Sequence, residues 1–290
     1  MAQQIIQRLC IIGVGLIGGS LARALKKAGV VKEIVGCGRN REQLEVAKTL
    51  NVIDAYDTDI QTAVKHCDMV VLAVPLGAMQ SVMNQIAPVI TNDMIITDVG
   101  SAKQSVVDSA MKSFGELPVS FVPAHPIAGT EKSGVEASFA ELYENRRVII
   151  TPLKTSSKAA ISKVTAMWKA CGANIVETSV EHHDEILAAT SHLPHILAYS
   201  LVDTLAKMDE RREIFDFAAG GFRDFTRIAS SNPKMWHDIC LANGDALVKM
   251  IEQFSNDLQL LTKAIQSKDS EYLTQIFTRA KQARDDFCND

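Results

Sequence analysis

The segment PAHPIAGTEKSG, residues 123–134, places a histidine between two prolines directly after an apolar run. An imidazole has an ordinary pKa of about 6.5. His125 can therefore accept a proton from a hydroxyl group while a hydride leaves the carbon that bears this hydroxyl. Ser101, in the segment TDVGSAK, lies in a neighbouring predicted loop and could hold the imidazole ring in one orientation. Two simpler interpretations stay open: a surface histidine held by prolines, and a serine that caps the following helix.

A second group of residues indicates a bound dinucleotide. Gly13, Gly15 and Gly18 form the pattern GxGxxG between a predicted strand and a predicted helix, the context that this motif requires. The first glycine permits a tight turn, the second lets the backbone approach a pyrophosphate, and the third allows the helix to pack closely on the strand. The helix N-terminus offers its unpaired N–H groups to the phosphates. The residues predicted to bind the cofactor lie at this turn and at the ends of two further strands: Gly13, Gly15, Leu16, Ile17, Gly18, Gly38, Arg39, Val74 and Pro75. The alternative is a glycine-rich turn that serves packing alone.

The end of the second predicted strand, GCGRN, bears on which dinucleotide is used. An NAD enzyme usually carries an acidic residue there, which accepts a hydrogen bond from the ribose 2′-hydroxyl. Gly38 takes that place, and the guanidinium of the adjacent Arg39 could bind a 2′-phosphate. NADP is therefore permitted, and use of either NAD or NADP is plausible. Alternatively, Arg39 is a solvated loop residue.

The elements that must position these residues follow an alternating pattern. Short apolar runs, among them RLCIIGVG, DMVVLAVP, MIITDVG and VSFVPAHP, alternate with helical stretches from residue 7 to residue 179. This pattern predicts an α/β fold in which a Rossmann-like, doubly wound sheet is covered by helices on both faces. Helical periods follow at about 181–208, 233–264 and 268–287. We predict a dinucleotide-binding domain over 1–180 and an all-α substrate and dimerisation domain over 181–290.

Composition narrows the classes of function. The formal net charge of −4, with 47% hydrophobic and 22% charged residues, is typical of a globular protein and gives no attraction to nucleic acid or anionic membranes. The six cysteines are scattered without metal-binding spacing, so we expect reduced thiols, no metal site and a cytoplasmic location. The apolar segment after Arg8 could imitate a signal peptide, but its regularly spaced glycines favour the nucleotide motif. A small molecule is the expected ligand.

The order of the motifs resembles a known family. The segments GVGLIGGSLA, DVGSAK, HPIAGTEKSG, SHLPH and GGFRDFTRIA, the last followed by NPKMW, occur in this order in prephenate and arogenate dehydrogenases, the TyrA family. The resemblance extends from about residue 8 to at least residue 260. It implies a Rossmann domain joined to a helical domain that forms a homodimer. It also implies oxidative decarboxylation of prephenate to 4-hydroxyphenylpyruvate, or of arogenate to tyrosine, with NAD or NADP as hydride acceptor.

The resemblance also implies residue roles. His125 would be the catalytic histidine and Ser101 its partner, while Arg227 would bind a substrate carboxylate. The remaining residues would line or gate the pocket, some of them from the second subunit: Glu131, His195, Gly220, Asp224 and Trp236. We prefer His195 to His192 for this role.

Simpler interpretations of these residues remain. Arg227 could merely pair with Asp224 on one helix. His192 and His195 could be ordinary core or surface residues, and no cysteine or carboxylate is spaced to complete a zinc site with them. We expect His182 and His183 to lie at a solvated helix start.

Two other functions compete. One is a different Rossmann dehydrogenase, of the 3-hydroxyacid or imine reductase type, which would lack the segment HPIAGTEKSG. The other is a sensor that binds a dinucleotide without catalysis, which the combination of His125, Ser101 and Arg227 disfavours. The sequence does not decide between prephenate and arogenate, which differ in a keto or amino group.

Overall fold

The computed structural model describes residues 4–130, 132–209 and 211–289, and within them a parallel sheet has the strand order β3-β2-β1-β4-β5-β6. Its strands are β1 (Ile6–Ile12), β2 (Val31–Cys37), β3 (Ala55–Asp57), β4 (Met69–Leu72), β5 (Ile95–Asp98) and β6 (Phe121–Val122). The order reverses between β1 and β4, and in such sheets ligands bind beyond the carboxyl ends of the strands at that point. The predicted Rossmann-like sheet is therefore confirmed.

Helices cover both faces of this sheet, so alternate residues of a strand pack into two different apolar cores, one on each face. In β1, Leu9 and Ile11 pack into one apolar core, whereas Cys10 and Ile12 pack into the other. Both faces of a strand are then buried, which explains why its sequence is apolar throughout. The helices that accompany the sheet are α1 (Leu16–Ala28), α2 (Arg41–Thr49), α3 (Ile60–Val64), α4 (Leu76–Ile86), α5 (Lys103–Phe114) and α6 (Lys158–Ala170).

The segment VSFVPAHP is not the single strand that the sequence predicts. Its first part forms β6 beside β5, and its second part forms β7 (Ala124–Pro126) in another sheet. There β7 lies antiparallel to β8 (Arg147–Ile150), which is parallel to β9 (Asn174–Glu177). Pro123 separates the two parts, since a proline has no N–H to donate to a ladder, while its carbonyl accepts a hydrogen bond from Thr151 N at 2.9 Å. This change of sheet places His125 just beyond the edge of the parallel sheet.

The chain after residue 179 is helical, as predicted, but two details differ. Its helices are α7 (Val180–Leu187), α8 (Leu193–Ala206), α9 (Arg211–Asp216), α10 (Gly220–Thr226), α11 (Pro233–Ala242), α12 (Gly244–Ser267) and α13 (Ser270–Asn289). A π-helical turn over Ala188–His192 joins α7 to α8. The helix expected over 233–264 is divided at Asn243, and the region between the first two predicted helical periods contains α9, α10 and the 3₁₀ turn Arg227–Ser230.

The chain forms two compact units, Met1–Gly244 and Asp245–Asp290. The first contains the sheets and the helices through α11, and the second contains α13 and nearly all of α12. The domain boundary near residue 180 stays a prediction. Across the described part of the chain, every helix is too short or too polar to cross a membrane.

Candidate active site

The turn after β1 is built from glycines that admit no side chain. Gly13 has a φ of +100°, and a Cβ on it would lie 2.2 Å from the carbonyl oxygen of Ala73, at the end of β4. A Cβ on Gly18 would lie 2.2 Å from Gly13 O, so α1 packs directly on the turn. The two close approaches explain the first and third glycines of the motif.

The N-terminus of α1 is open to a ligand. Its N-cap residue is Gly15, its first turn carries no acidic residue, and no side chain within the described ranges caps its backbone N–H groups. A Cβ on Gly15 would meet nothing within 4 Å, so there is free space beside the backbone. Leu16 and Ile17, the first residues of the helix, are half-buried. Unpaired N–H groups, a helix dipole and open space fit the pyrophosphate of a dinucleotide.

The other residues predicted to bind the cofactor lie at the same edge of the sheet. Gly38 follows β2, and Arg39 beside it is exposed. The nearest atom to a Cβ on Gly38 would be Leu44 Cδ2 at 3.7 Å, so the position has room for a side chain. Val74 is half-buried, and Pro75 is the exposed N-cap residue of α4.

His125 is buried and hydrogen-bonded to another histidine. It lies in β7 at 8% exposure, and its Nδ1 is 2.9 Å from Nε2 of His183 on α7. Nδ1 of His183 is in turn 2.7 Å from Asp184 Oδ1. Burial lowers the pKa of His125 well below its usual range, and the neighbouring His183, Lys103 and His192 lower it further. His125 is therefore a neutral base at pH 7.

Asp184 links this chain of side chains to α5. Its Oδ1 accepts a hydrogen bond from Lys103 N at 2.7 Å, and its Oδ2 accepts one from Gln104 N at 2.9 Å. The N-cap residue of α5, Ala102, supplies no side-chain acceptor. A carboxylate from α7 therefore caps α5, which is worth about 1 kcal/mol for a typical cap.

A buried ion pair lies beneath His125. The ammonium group of Lys103 donates to Asp98, at the end of β5, and to Ala124 O at 2.7 Å. Asp98 also accepts hydrogen bonds from Gly100 N at 2.7 Å and Ala124 N at 3.1 Å. Both charges are fully buried, so these backbone contacts offset part of their desolvation. The pair fixes β7, and with it the backbone of His125, against the parallel sheet.

Ser101 lies near this network without joining it. It is half-buried and precedes Ala102, so it is not the N-cap residue of α5. Among the described residues its hydroxyl makes no hydrogen bond, and His183 rather than Ser101 holds the ring of His125. The catalytic role of Ser101 stays a prediction.

The helical residues of the predicted site form a second group. The rings of His195 and Trp236 stack with their centroids 3.6 Å apart, and His195 Nδ1 lies 2.8 Å from Ser191 O. Burial lowers the pKa of His195, and the positive charge of Arg227 also lowers it, whereas the hydrogen bond with Ser191 O raises it. Gly220 and Asp224 are exposed on α10. The predicted site residue Glu131 lies outside the described residues.

His192 lies deeper than His195. Its Nδ1 is 3.1 Å from Asn243 Nδ2, and burial lowers its pKa to about 4. In the part of the chain that the structure describes, its Nε2 and Trp236 Nε1 are buried without hydrogen-bond partners. The structure thus brings both histidines of SHLPH beside Trp236, and our preference for His195 as the substrate ligand stays a prediction.

The sequence analysis missed His183, Asp184 and Lys103. We expected His183 to lie at a solvated helix start, but it is fully buried, while its neighbour His182 is exposed as expected. The error arises because burial comes from the packing of α7 against α5, which leaves no local signal in EHHDE. Helix periodicity places two adjacent histidines on different sides of α7, but it does not show which side is buried.

Comparison with known proteins identifies the family. Residues 21–177 match a family model described as prephenate dehydrogenase, nucleotide-binding domain, and residues 179–279 match one described as prephenate dehydrogenase, dimerization domain. The cyclohexadienyl dehydrogenase of Zymomonas mobilis is 39% identical over 97% of this chain and 96% of its own length. The prephenate dehydrogenase of Bacillus subtilis is 38% identical over 96% of this chain and 75% of its own length.

A solved structure gives the same assignment. The prephenate dehydrogenase from A. aeolicus, in complex with hydroxyphenyl propionate and NAD+, superposes with a TM-score of 0.89 at 37% identity, covering 96% of this chain and 97% of that one. Sequence models, relatives and fold agree over nearly the whole chain. The chain therefore belongs to the prephenate dehydrogenase family.

Proposed function

We propose that this chain is an NAD(P)-dependent dehydrogenase that oxidatively decarboxylates prephenate to 4-hydroxyphenylpyruvate, arogenate to tyrosine, or both. One observation carries the proposal: a buried neutral histidine lies at the carboxyl edge of a sheet whose first helix has an open N-terminus. The family assignment and the relatives named above support the substrate class.

His125 performs the proton transfer in this proposal. It accepts the proton of the ring hydroxyl, through the imidazole nitrogen that His183 does not occupy. When bound, the oxidised nicotinamide supplies the acceptor for the hydride that leaves the same carbon. The ring carboxylate departs as carbon dioxide, and its bonding electrons complete the aromatic ring. Aromatisation drives the reaction, so the protein mainly has to orient the substrate and polarise its hydroxyl.

The substrate side chain is placed toward the helical residues. Arg227 would bind its carboxylate, because a guanidinium matches a carboxylate in two parallel hydrogen bonds. His195, stacked on Trp236, lies close enough to Arg227 for its pKa to be lowered by that charge, which supports a shared pocket. Gly220, Asp224 and Glu131 complete the proposed pocket.

The nucleotide-binding domain takes a nicotinamide dinucleotide in this proposal, and the choice between NAD and NADP depends on Gly38 and Arg39. The end of β2 carries no carboxylate to repel a 2′-phosphate, and the Arg39 side chain is exposed beside it. We therefore propose that NADP is accepted as well as NAD.

The functional unit that we propose is a homodimer formed through the helical domain. Large apolar side chains are exposed on α12 and α13: Val248, Leu258, Leu260, Ile265, Phe277 and Phe287. Apolar surface of this extent is expected to be buried against a partner, and residues 179–279 match the dimerization domain. A cytoplasmic location remains our expectation.

Formation of reduced cofactor tests the proposal directly. The purified protein is assayed with prephenate or arogenate, each against NAD and NADP. We expect turnover in at least one of the four combinations, and the rates give both specificities. If none turns over while calorimetry shows that the dinucleotide binds, the proposal is wrong and the sensor alternative is favoured.

A further inference from the structure

We propose that Asp184 and His183 are positioning residues that hold His125 in the one neutral tautomer whose Nε2 carries no proton. The inference rests on the proposed function, in which His125 takes a proton from the substrate. It follows from the direction in which each hydrogen bond between α5 and β7 must run.

The direction is set at Asp184. Burial raises the pKa of this carboxyl, but hydrogen bonds from His183, Lys103 N and Gln104 N outweigh burial, so the pKa lies below its usual range. Asp184 is thus an ionised carboxylate, which only accepts hydrogen bonds. The 2.7 Å contact with His183 therefore requires the proton to be on His183 Nδ1.

The next contact follows from the first. Burial lowers the pKa of His183, despite the opposing effect of Asp184, so the ring is neutral and carries one proton. With that proton on Nδ1, Nε2 of His183 is an acceptor. His125 Nδ1, 2.9 Å away, must donate to it. His125 is also neutral, so its own Nε2 has a free electron pair.

The hydrogen-bond chain from His125 through His183 ends at Asp184, which is bound by the N-terminus of α5 and by Asn243 at the C-terminus of α11. Both carboxylate oxygens of Asp184 are bound by the N-terminus of α5, and Asp184 O accepts a hydrogen bond from Asn243 Nδ2 at 2.8 Å. The other titratable groups that act on the two rings are Lys103 and Asp98, which pair with each other, and His192, whose own pKa burial lowers to about 4. Asp184 is therefore the only member of the described network that imposes a direction on the histidine hydrogen bonds.

The substitution Asp184→Asn tests the role with little change of shape. In the wild type Asp184 Oδ1 contacts both Lys103 N and His183 Nδ1, while Oδ2 accepts from Gln104 N. If the new NH₂ group takes the Oδ1 position, it donates to His183 Nδ1 and reverses the hydrogen bonds, so that His125 carries its proton on Nε2 and loses its basic site. If it takes the Oδ2 position, it faces Gln104 N and the direction is kept. We expect kcat to fall in proportion to the reversed fraction, by about 10-fold or more when reversal dominates, with KM and the dinucleotide Kd within about 2-fold of wild type.

Matched variants separate positioning from stability. Asp238 lies against the N-terminus of α4, near Gly77, and has no contact with His125, so Asp238→Asn removes a comparable carboxylate. We expect kcat to stay within about 2-fold of wild type and Tm to change little, because asparagine caps a helix about as well as aspartate. His183→Gln can donate to Asp184 and accept from His125, so it should retain more activity than His183→Leu, which does neither.

The tautomer itself can be measured without any turnover. Long-range ¹⁵N–¹H spectra of histidine-labelled protein, assigned with His125→Asn, show which nitrogen of His125 is protonated. We expect Nδ1–H in the wild type and, in Asp184→Asn, a fraction of Nε2–H that matches the loss of kcat. Nε2–H in the wild type would overturn the inference, even if Asp184→Asn fails to fold. An Asp184→Asn enzyme whose kcat does not follow its fraction of Nε2–H would also overturn it. The proposed function can fail while the tautomer assignment holds. In that case His125 shows Nδ1–H, but the protein turns over none of the four substrate and cofactor pairs.

Discussion

The N-termini of α1 and α5 lie at the carboxyl ends of β1 and β5, yet their N–H groups differ in whether a side chain binds them. Among the described residues, no side chain caps α1, whose N-cap residue is Gly15, and a Cβ on that glycine would meet nothing within 4 Å. The first N–H groups of α5 are bound by Asp184, which also binds His183. One N-terminus is available to an external anion, whereas the other binds the carboxylate that contacts His183, the hydrogen-bond partner of the proposed base His125.

Helix α4 shows that capping from the helical region is not confined to the histidines. Asp238 on α11 lies against Gly77, where a Cβ would be 2.7 Å from its Oδ2. Hydrogen bonds from Lys234 and His237 lower the pKa of Asp238, so it too is a carboxylate. Carboxylates from later helices thus lie at the N-termini of α4 and α5, and in the part of the chain that the structure describes none lies at α1. We therefore expect a dinucleotide phosphate to bind at α1.

The largest expected effect is a loss of kcat when His125, the residue oriented from α5, is replaced. His125→Asn removes the proposed base, so we expect kcat to fall by about 100-fold or more, the scale of a lost general base. Dinucleotide affinity, which depends on α1, should remain near the wild-type value. Steady-state kinetics and calorimetry measure the two effects, and full activity in the variant would refute the assigned role.

The next largest expected effect is weaker dinucleotide binding at the N-terminus of α1. Gly15→Asp would give α1 its own carboxylate cap, like that of α5. Because the Cβ meets nothing within 4 Å, Tm should be unchanged or slightly higher, whereas the dinucleotide Kd should rise by on the order of 10-fold or more through repulsion of the phosphates.

Gly15→Asn is the matched control, since it has the same size and capping ability without the charge. We expect a smaller rise in Kd than for Gly15→Asp. Equal Kd values for the two variants would show that space alone, and not charge, governs binding at α1.

The pH dependence sharpens the comparison further. His125 must be unprotonated to act, and burial lowers its pKa below the ordinary 6.5. The acid limb of kcat/KM should therefore have its midpoint below pH 6.5, with activity lost only as the pH falls through the depressed pKa. Binding of the dinucleotide, titrated over the same range, should not follow this limb. A midpoint above 6.5 would contradict a neutral buried base.

The smallest expected effect concerns cofactor choice. Gly38→Asp places a carboxylate at the end of β2, where there is room for a side chain, so NAD should gain over NADP. We expect the ratio of the two kcat/KM values to shift by about 5-fold, equivalent to roughly 1 kcal/mol. Gly38→Asn is the control of equal size. If neither variant changes the ratio, Gly38 has no part in cofactor choice.

The same comparison explains what the sequence could reveal. The glycines at α1 act locally, within one turn of chain, so their spacing predicts both the turn and its ligand. Asp184 acts 81 residues away from Lys103, and His183 acts 58 residues away from His125. Such pairings arise from the packing of α7 on α5, and nothing in EHHDE distinguishes a buried histidine from a solvated one.

Lys103 illustrates the same limit. A lysine near the start of a helix is usually exposed, and its full burial depends on Asp98, at the end of β5, and on the carbonyl of Ala124. Sequence spacing gives Asp98 and Lys103 but not the third partner. The motif DVGSAK therefore indicated a functional loop without showing that its lysine is structural.

The central claim is that α1 serves binding and α5 serves chemistry. The most direct test is calorimetric titration of the dinucleotide into Gly15→Asp and His125→Asn, with kcat measured on the same preparations at saturating cofactor. The account predicts weakened binding in Gly15→Asp alone and a large loss of kcat in His125→Asn alone. Loss of dinucleotide binding in His125→Asn, with normal binding in Gly15→Asp, would contradict it.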